Sequence, residues 1–386
     1  MTENNDRILL LTGDAGFGHR SAAEAIQQAL KETYGDHCEV ILKNPLDHPD
    51  VPDFIRQSES DYDDIIEAAP ELYHLGYDIS DSSLPVTLME GGFVLFLFNA
   101  FKELILDLNP DLIISTYPIF QAPLAAVIER EALKIPLMTV VTDLVTVHQV
   151  WFNDKVTRMT VPTQIVRDLA LEAGLSETQV IITGIPVNPD IAKLKKVDSK
   201  VLRKELGWEA DPITLLVVGS PRVFDLMEIL HALDHTHHHI QFALVAGGND
   251  QLHKAFKGGD WRHPVKIYNF VEVMPKLMRA ADIILCKAGG LITTESLASE
   301  LPIMVVNFLP GQEEGNVAYI VDHDAGELCD TPEKAVETLN RWLEDKGSRL
   351  IAISENAAQA SQAGAAKKIS EEAWRLLQKN NSTSKT

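Results

Sequence analysis

Cysteine is scarce. The 386 residues hold three, Cys38, Cys286 and Cys329, too few and too scattered for a disulfide framework or a cysteine-rich zinc module, and a reducing, cytoplasmic setting is expected. Positive charge is scarce too. Lys and Arg total 34 against 56 Asp and Glu, and the net charge of -22 opposes the attraction to phosphate backbones that nucleic-acid binders depend on, so no nucleic-acid partner is expected. The opening MTENNDR lacks the basic n-region of a secretory signal, and the apolar run after it, Ile8 to Leu11, is too short for one. Long apolar runs are missing as well: Phe93 to Phe98 gives way to Asn99 and Lys102, well short of the ~20 residues of a spanning helix. The acidity is uneven, with 11 basic and 29 acidic residues up to Pro186 and 23 and 27 after it. The two halves face different tasks.

What is present is alternation, over a length that holds two or three domains at ~150 residues each. Arg7 to Thr12 is a short apolar run ending near glycines, Ser21 to Leu30 a strong helix former, and Cys38 to Leu42 a second strand, a βαβ opening. Asp111 to Ser115, Pro136 to Val141, Met159 to Val161 and Val180 to Thr183 continue it, which predicts a parallel sheet with helices on both faces. The acidic stretch Asp47 to Asp81 shows no strand pattern and reads as an insertion of helices and loops. In the second half Thr214 to Val218, Gln241 to Ala246, Val265 to Tyr268, Ile283 to Cys286 and Ile303 to Val306 repeat the pattern, and the lysine-rich Asp190 to Lys204 reads as a linker. The expected fold is α/β, two doubly wound Rossmann-like domains facing a central cleft. Residues 1–186 form the first, residues 187–364 the second, and a C-terminal helix and tail, 365–386, packs back toward the first. Ligands in such sheets bind beyond the carboxyl ends of the strands.

Three segments fall at such ends. In Thr12-Gly13-Asp14-Ala15-Gly16-Phe17-Gly18-His19-Arg20, Gly16, Gly18 and the helix amides after them can receive an anion, or let a substrate approach the backbone. Read as G-x-G-x-x-S, the segment is a weak dinucleotide fingerprint with Glu39 as the ribose acid. Alternatively His19, with Asp14 five residues upstream, is a general base for a hydroxyl. In Cys286-Lys287-Ala288-Gly289-Gly290-Leu291-Ile292-Thr293-Thr294-Glu295, a strand enters a glycine turn and a helix whose first amides suit a diphosphate, with Glu295 one turn on for ribose hydroxyls. One βα unit later, Pro310-Gly311-Gln312-Glu313-Glu314-Gly315-Asn316 sets Gln and Glu side chains together, suited to the hydroxyls of a sugar. The histidines His231, His235, His237, His238 and His239 have no acid or cysteine nearby to complete a ligand set, and no metal is expected.

The set GFGHR, Thr142-Asp143-Leu144 with His148 and Trp151-Phe152, Thr183-Gly184-Ile185-Pro186-Val187, Phe270-Val271 with Met274-Pro275, KAGG with Glu295, and PGQEEGN resembles the monogalactosyldiacylglycerol synthase and processive diacylglycerol glucosyltransferase family, with the N-acetylglucosaminyltransferase of the peptidoglycan lipid intermediate as a more distant relative. The resemblance covers most of the chain. It implies a GT-B fold, inversion at the anomeric carbon, no essential metal or cofactor, and UDP-galactose or UDP-glucose as a substrate held mainly by the second domain. Carried over by position, His19 is the acceptor-side base, Gly16 and Gly18 shape its loop, and Asp14 orients it. The backbone at Phe270 and Val271 receives uracil, Gly289 and Gly290 the diphosphate, Glu295 the ribose, and Gln312 with Glu313 the sugar. The chain departs from the pattern at Val218-Gly219-Ser220-Pro221-Arg222, where one glycine remains of a glycine-rich loop and Arg222 is the candidate replacement cation, and at Asn188, where relatives often have arginine.

The expectation is therefore an inverting hexosyltransferase acting on diacylglycerol or a related lipid. A GT-B transferase for another acceptor, a nucleotide-sugar epimerase and a UDP-sugar sensor without turnover are the alternatives. The acidic first half repels anionic lipid, so docking on the inner face of a membrane would rely on apolar contact. Phe93 and Phe98, on a wide apolar face of a helix over Leu88 to Leu108, and Trp151 are the candidates for acceptor or membrane contact.

Overall fold

A computed structural model describes residues 5–14, 18–53, 55–56, 83–219 and 226–383. Most of the acidic stretch read as an insertion, together with Gly16 and Arg222, lies outside the described residues. The chain divides into two compact units, Met1–Pro189 with Gly364–Thr386, and Asp190–Ala363.

The first unit is built on a parallel six-stranded sheet, β1 (Asp6–Leu11), β2 (Cys38–Lys43), β3 (Leu112–Ser115), β4 (Leu137–Val140), β5 (Arg158–Val161) and β6 (Val180–Ile182), in the order β2-β1-β3-β4-β5-β6. Strands buried on both faces read as continuous apolar runs, which is why they were legible: Leu112 to Ser115 and Leu137 to Val140 are buried throughout. Register sets Leu9 beside Ile113 and Ile114 beside Met138. Helix α1 (Gly18–Tyr34) turns Ala22, Ala23, Ile26 and Leu30 inward. The same core takes Ile369, Ala373 and Leu377 of the last helix, Ala365–Thr383, whose Glu372 is buried and ion-paired to Arg158 of β5 at 2.6 Å. The other face is covered in part by α2 (Ser83–Leu108), through Leu97, Ala100, Phe101 and Ile105.

Phe93 and Phe98 pack against that core too, half-buried, with Arg130 5.6 Å above the Phe98 ring. They are not the outward apolar residues of α2. Those are Leu88, Leu95, Phe96 and Leu106, 77%, 75%, 39% and 51% exposed. Trp151 is fully buried and belongs to no surface patch. No helix among the described residues is long and apolar enough to cross a membrane.

The second unit carries β7 (Ile213–Val218), β8 (Ile240–Val245), β9 (Val265–Tyr268), β10 (Ile283–Lys287), β11 (Ile303–Asn307) and β12 (Gly326–Leu328), again all parallel, in the order β12-β11-β10-β7-β8-β9. The expected linker is a correction: residues Asp190–Leu194 and Ser199–Leu206 are helices. In the second, Asp198 caps the start, Gly207 ends it at a φ of 69°, and Leu202 and Arg203 are buried. Arg203 donates to Ala280 O at 2.8 Å and pairs with Asp282 at 2.5 Å. Its charge made the segment look solvated, whereas a satisfied guanidinium is part of the interior. In both sheets the chain reverses its direction of strand addition once, between β1 and β3 and between β7 and β10. Crevices at these switch points are where open α/β sheets place ligands.

Candidate functional site

In the first unit His19 stands at the switch point. It is the second residue of α1, entered from the end of β1. Thr116, just past β3, sets its hydroxyl between Leu11 O at 3.3 Å and His19 O at 3.2 Å, where its one proton is shared, so two main-chain segments are tied at the crevice. The His19 Nδ1 lies 2.8 Å from Thr142 Oγ1, just past β4. Tyr117 meets the imidazole edge-on at 4.9 Å between centroids, and Trp151 lies at 6.0 Å with its indole N–H on Asp143 at 2.6 Å. Loss of solvent around the ring pulls its pKa from 6.5 down to about 4, against a smaller opposing effect of the backbone bond to Thr116. The imidazole is thus neutral at pH 7. The Thr142 hydroxyl can pair with Nδ1 in either tautomer; in the one with Nδ1 protonated, the Nε2 lone pair is the one that can take a hydroxyl proton.

Asp14, expected to orient His19, takes other partners. Its carboxylate pairs with Arg20, Nη2 to Oδ2 being 2.8 Å, and accepts from Asn44 Nδ2 at 3.0 Å. The Arg20 hydrogen bond, foremost, holds its pKa below the usual carboxylate range. Thr142, named in the sequence only as part of a motif, is the group that meets Nδ1.

In the second unit the turns after β9, β10 and β11 carry the expected residues, all at the carboxyl edge of one sheet. Phe270 (59% exposed) and Val271, half-buried against the core, follow β9. Gly289 and Gly290 open the helix Gly290–Ala298, next to the β7–β10 switch point. The turn is fixed from below by Ala288, whose N–H donates to Asn307 O at 3.0 Å and whose carbonyl accepts from Asn316 Nδ2 at 2.9 Å. Glu295 is half-buried on that helix, and its carboxyl has no hydrogen bond or ion pair among the described residues. Burial alone pushes its pKa from 4.5 up to about 7. Such a carboxyl can accept from a ribose hydroxyl or, protonated, donate to one.

Glu313, expected with Gln312 to meet the sugar, lies in the turn after β11. It is buried and ion-paired to Lys287, and its Oε2 accepts the Leu309 N–H at 2.8 Å. Gln312 precedes it in the same turn. Gly219, the single glycine after β7, has a packing reason: a Cβ there would lie 2.2 Å from Leu252 Cδ2 and 3.1 Å from Val245 O. The histidine cluster takes local partners. His235 Nδ1 lies 2.7 Å from His231 O, His238 Nε2 lies 2.8 Å from Asn340, and His231 stacks on Trp261. The one group of metal-ligand type among the described residues is elsewhere, His48, Asp50 and Glu103, all at least partly exposed.

The chain was compared with known proteins. The family described as monogalactosyldiacylglycerol synthase matches residues 19–187, and the glycosyltransferase family 28 C-terminal domain matches residues 214–373. Monogalactosyldiacylglycerol synthase 2, chloroplastic, of Arabidopsis thaliana is 31% identical over 371 residues, 93% of this chain and 78% of that protein. The corresponding synthase of Spinacia oleracea is 31% identical over 380 residues, 95% of this chain and 72% of that one. Among solved structures, MurG of Acinetobacter baumannii aligns with a TM-score of 0.61 at 16% identity, covering 96% of this chain and 99% of its own. The UDP-GlcNAc 2-epimerase of Neisseria meningitidis, bound to UDP-GlcNAc, aligns with a TM-score of 0.61 at 15% identity, covering 96% and 100%. These likenesses bear out the two-unit GT-B fold.

Proposed function

The chain belongs to the monogalactosyldiacylglycerol synthase family of sugar-transferring enzymes, and from that premise we propose that it moves a hexose from UDP-galactose or UDP-glucose to the free hydroxyl of diacylglycerol, with inversion. The observation that carries the reading is His19: a neutral imidazole with Nδ1 on Thr142 and aromatic rings beside it, at the switch point of the first sheet. In this mechanism Nε2 accepts the hydroxyl proton as the oxygen attacks the anomeric carbon. Trp151 and Tyr117 keep the ring dry and neutral until then. The bond to UDP breaks as the new one forms. The amides that open the helix at Gly290 stabilise the charge developing on the diphosphate, and Glu295 holds the ribose. Uracil lies against the backbone at Phe270 and Val271. No metal or cofactor enters the scheme. Lipid docking on the cytoplasmic face of a membrane fits the exposed Leu88, Leu95 and Phe96, since the acidic composition offers anionic lipid no attraction.

The test is product formation from UDP-galactose and UDP-glucose, separately, with diacylglycerol in neutral and in anionic vesicles. A glycolipid from one donor supports the reading and names the sugar. No glycolipid from either, with UDP still bound, overturns the acceptor assignment, and an epimerised nucleotide sugar would replace transfer with epimerisation.

A further inference from the structure

Lys287 and Glu313 form an ion pair between side chains only 14% and 7% exposed. A pair this dry costs much of its Coulomb attraction in desolvation, so stability is a weak reason to keep it. Its placement offers a better one. Strand β10 shifts register against β11 between Cys286 and Lys287, the kind of irregularity that re-aims the side chain beside it. A Cβ built on Gly289 would lie 3.7 Å from Lys287 Nζ and 3.8 Å from Glu313 Oε1. The pair therefore stands against the glycine that opens the amide-bearing end of the helix. Asn316, 4% exposed and bonded through Nδ2 to Ala288 O, keeps its Oδ1 without a partner among the described residues, an unused acceptor at the same turn.

We infer that Lys287 is the cation that receives the donor's diphosphate, and that its transfer from Glu313 to the phosphates releases the Glu313 carboxylate to the sugar hydroxyls. This rests on the donor-site reading above. A diphosphate held by helix-end amides presents more negative charge to Lys287 than one carboxylate does, and wins the ammonium. Glu313, left with the Leu309 amide as its donor, then gains hydroxyl donors from the sugar in place of the cation, so neither charge stays unpaired. The exchange makes sugar recognition conditional on the diphosphate. A free hexose carries no charge to open the pair, and a nucleoside monophosphate opens it poorly. It also reconciles the sequence motif, which marks Glu313 as a sugar reader, with a structure in which that carboxylate is occupied.

The experiment is calorimetry on the full chain with uridine, UMP, UDP and UDP-galactose or UDP-glucose, on the native protein, Lys287→Gln and Glu313→Gln. For Lys287→Gln, UDP affinity should fall about ten- to a hundredfold, with uridine affinity within about twofold. For Glu313→Gln, UDP should bind more tightly, because nothing competes for Lys287, while UDP-hexose loses its advantage over UDP. Weakening of uridine and UDP alike in both variants would mean a purely structural pair and overturn the inference. If a single variant does not fold, Lys287→Gln with Glu313→Gln, which leaves no charge unpaired, should bind uridine normally and lose the preference for UDP over UMP; a retained preference overturns it. The native protein needs no substitution: saturation-transfer NMR should detect galactose or glucose binding only with UDP present, and equal binding without UDP contradicts the exchange. A failure of the donor-site reading looks different, because the native protein would then bind neither uridine nor UDP.

Discussion

Among the described residues, the switch point of the first unit holds a side chain among aromatic rings with no cation against it, whereas that of the second holds backbone amides, a buried ion pair and an unpartnered acid. Burial acts on both, in opposite directions: it pulls His19 down to about 4 and pushes Glu295 up to about 7. Each is thereby biased toward its neutral form. Both sheets are parallel and each reverses its strand order once, in the orders β2-β1-β3-β4-β5-β6 and β12-β11-β10-β7-β8-β9. Under the proposed function the turns at the first switch point serve a hydroxyl and those at the second a nucleotide, so the chemistry lies in what the turns carry.

The comparison breaks most sharply at His19. His19→Ala is expected to lower transfer by about 100- to 10,000-fold while UDP affinity by calorimetry stays within about twofold; equal losses would merge the two tasks. Glu295→Ala is expected to do the reverse, weakening UDP by about ten- to a hundredfold, since a ribose hydroxyl loses its partner. Thr142→Val should lower kcat about tenfold with KM for the donor unchanged, because the ring loses the hydrogen bond that holds Nδ1 in place. A donor KM that rises with it would assign Thr142 to nucleotide binding.

A smaller effect is expected in the pH dependence of stability. His19 has a folded pKa below its unfolded value of 6.5, so its contribution is present above pH 6.5 and lost as pH falls toward about 4. Glu295 has a folded pKa above 4.5, so its contribution is present below pH 4.5 and lost as pH rises through about 7. Thermal melts should therefore show His19→Gln gaining on the native protein as pH falls from 7 to 5, and Glu295→Gln gaining as pH rises from 5 to 8. Smallest of all, Asp14→Asn removes one partner of a half-exposed ion pair and should cost under about 1 kcal/mol in melting experiments. A large loss of transfer in that variant would restore Asp14 to the orienting role.

The strands were legible because double burial leaves little but apolar residues in them, and the turns at His19 and Gly289 because glycine interrupts the pattern where a strand meets a helix. Strand β12 was not: three residues long, it begins at Gly326, where a Cβ would lie 2.1 Å from Ile303 O. The helices over Asp190–Leu194 and Ser199–Leu206 were hidden by their charge. The partners within each site were beyond a linear reading. Thr142 reaches His19 across 123 residues, and Lys287 reaches Glu313 from the point where β10 shifts register against β11. Such contacts are set by sheet register, which local composition does not encode.

The division of labour between the units is tested most directly by a double-variant cycle on Thr142→Val and Glu295→Gln, both mild enough to keep transfer measurable. If one residue serves the acceptor base and the other the nucleotide, the losses in kcat/KM multiply, because independent contributions add in free energy. A double variant no worse than the poorer single variant would mean that the two act as one unit, and would contradict the account.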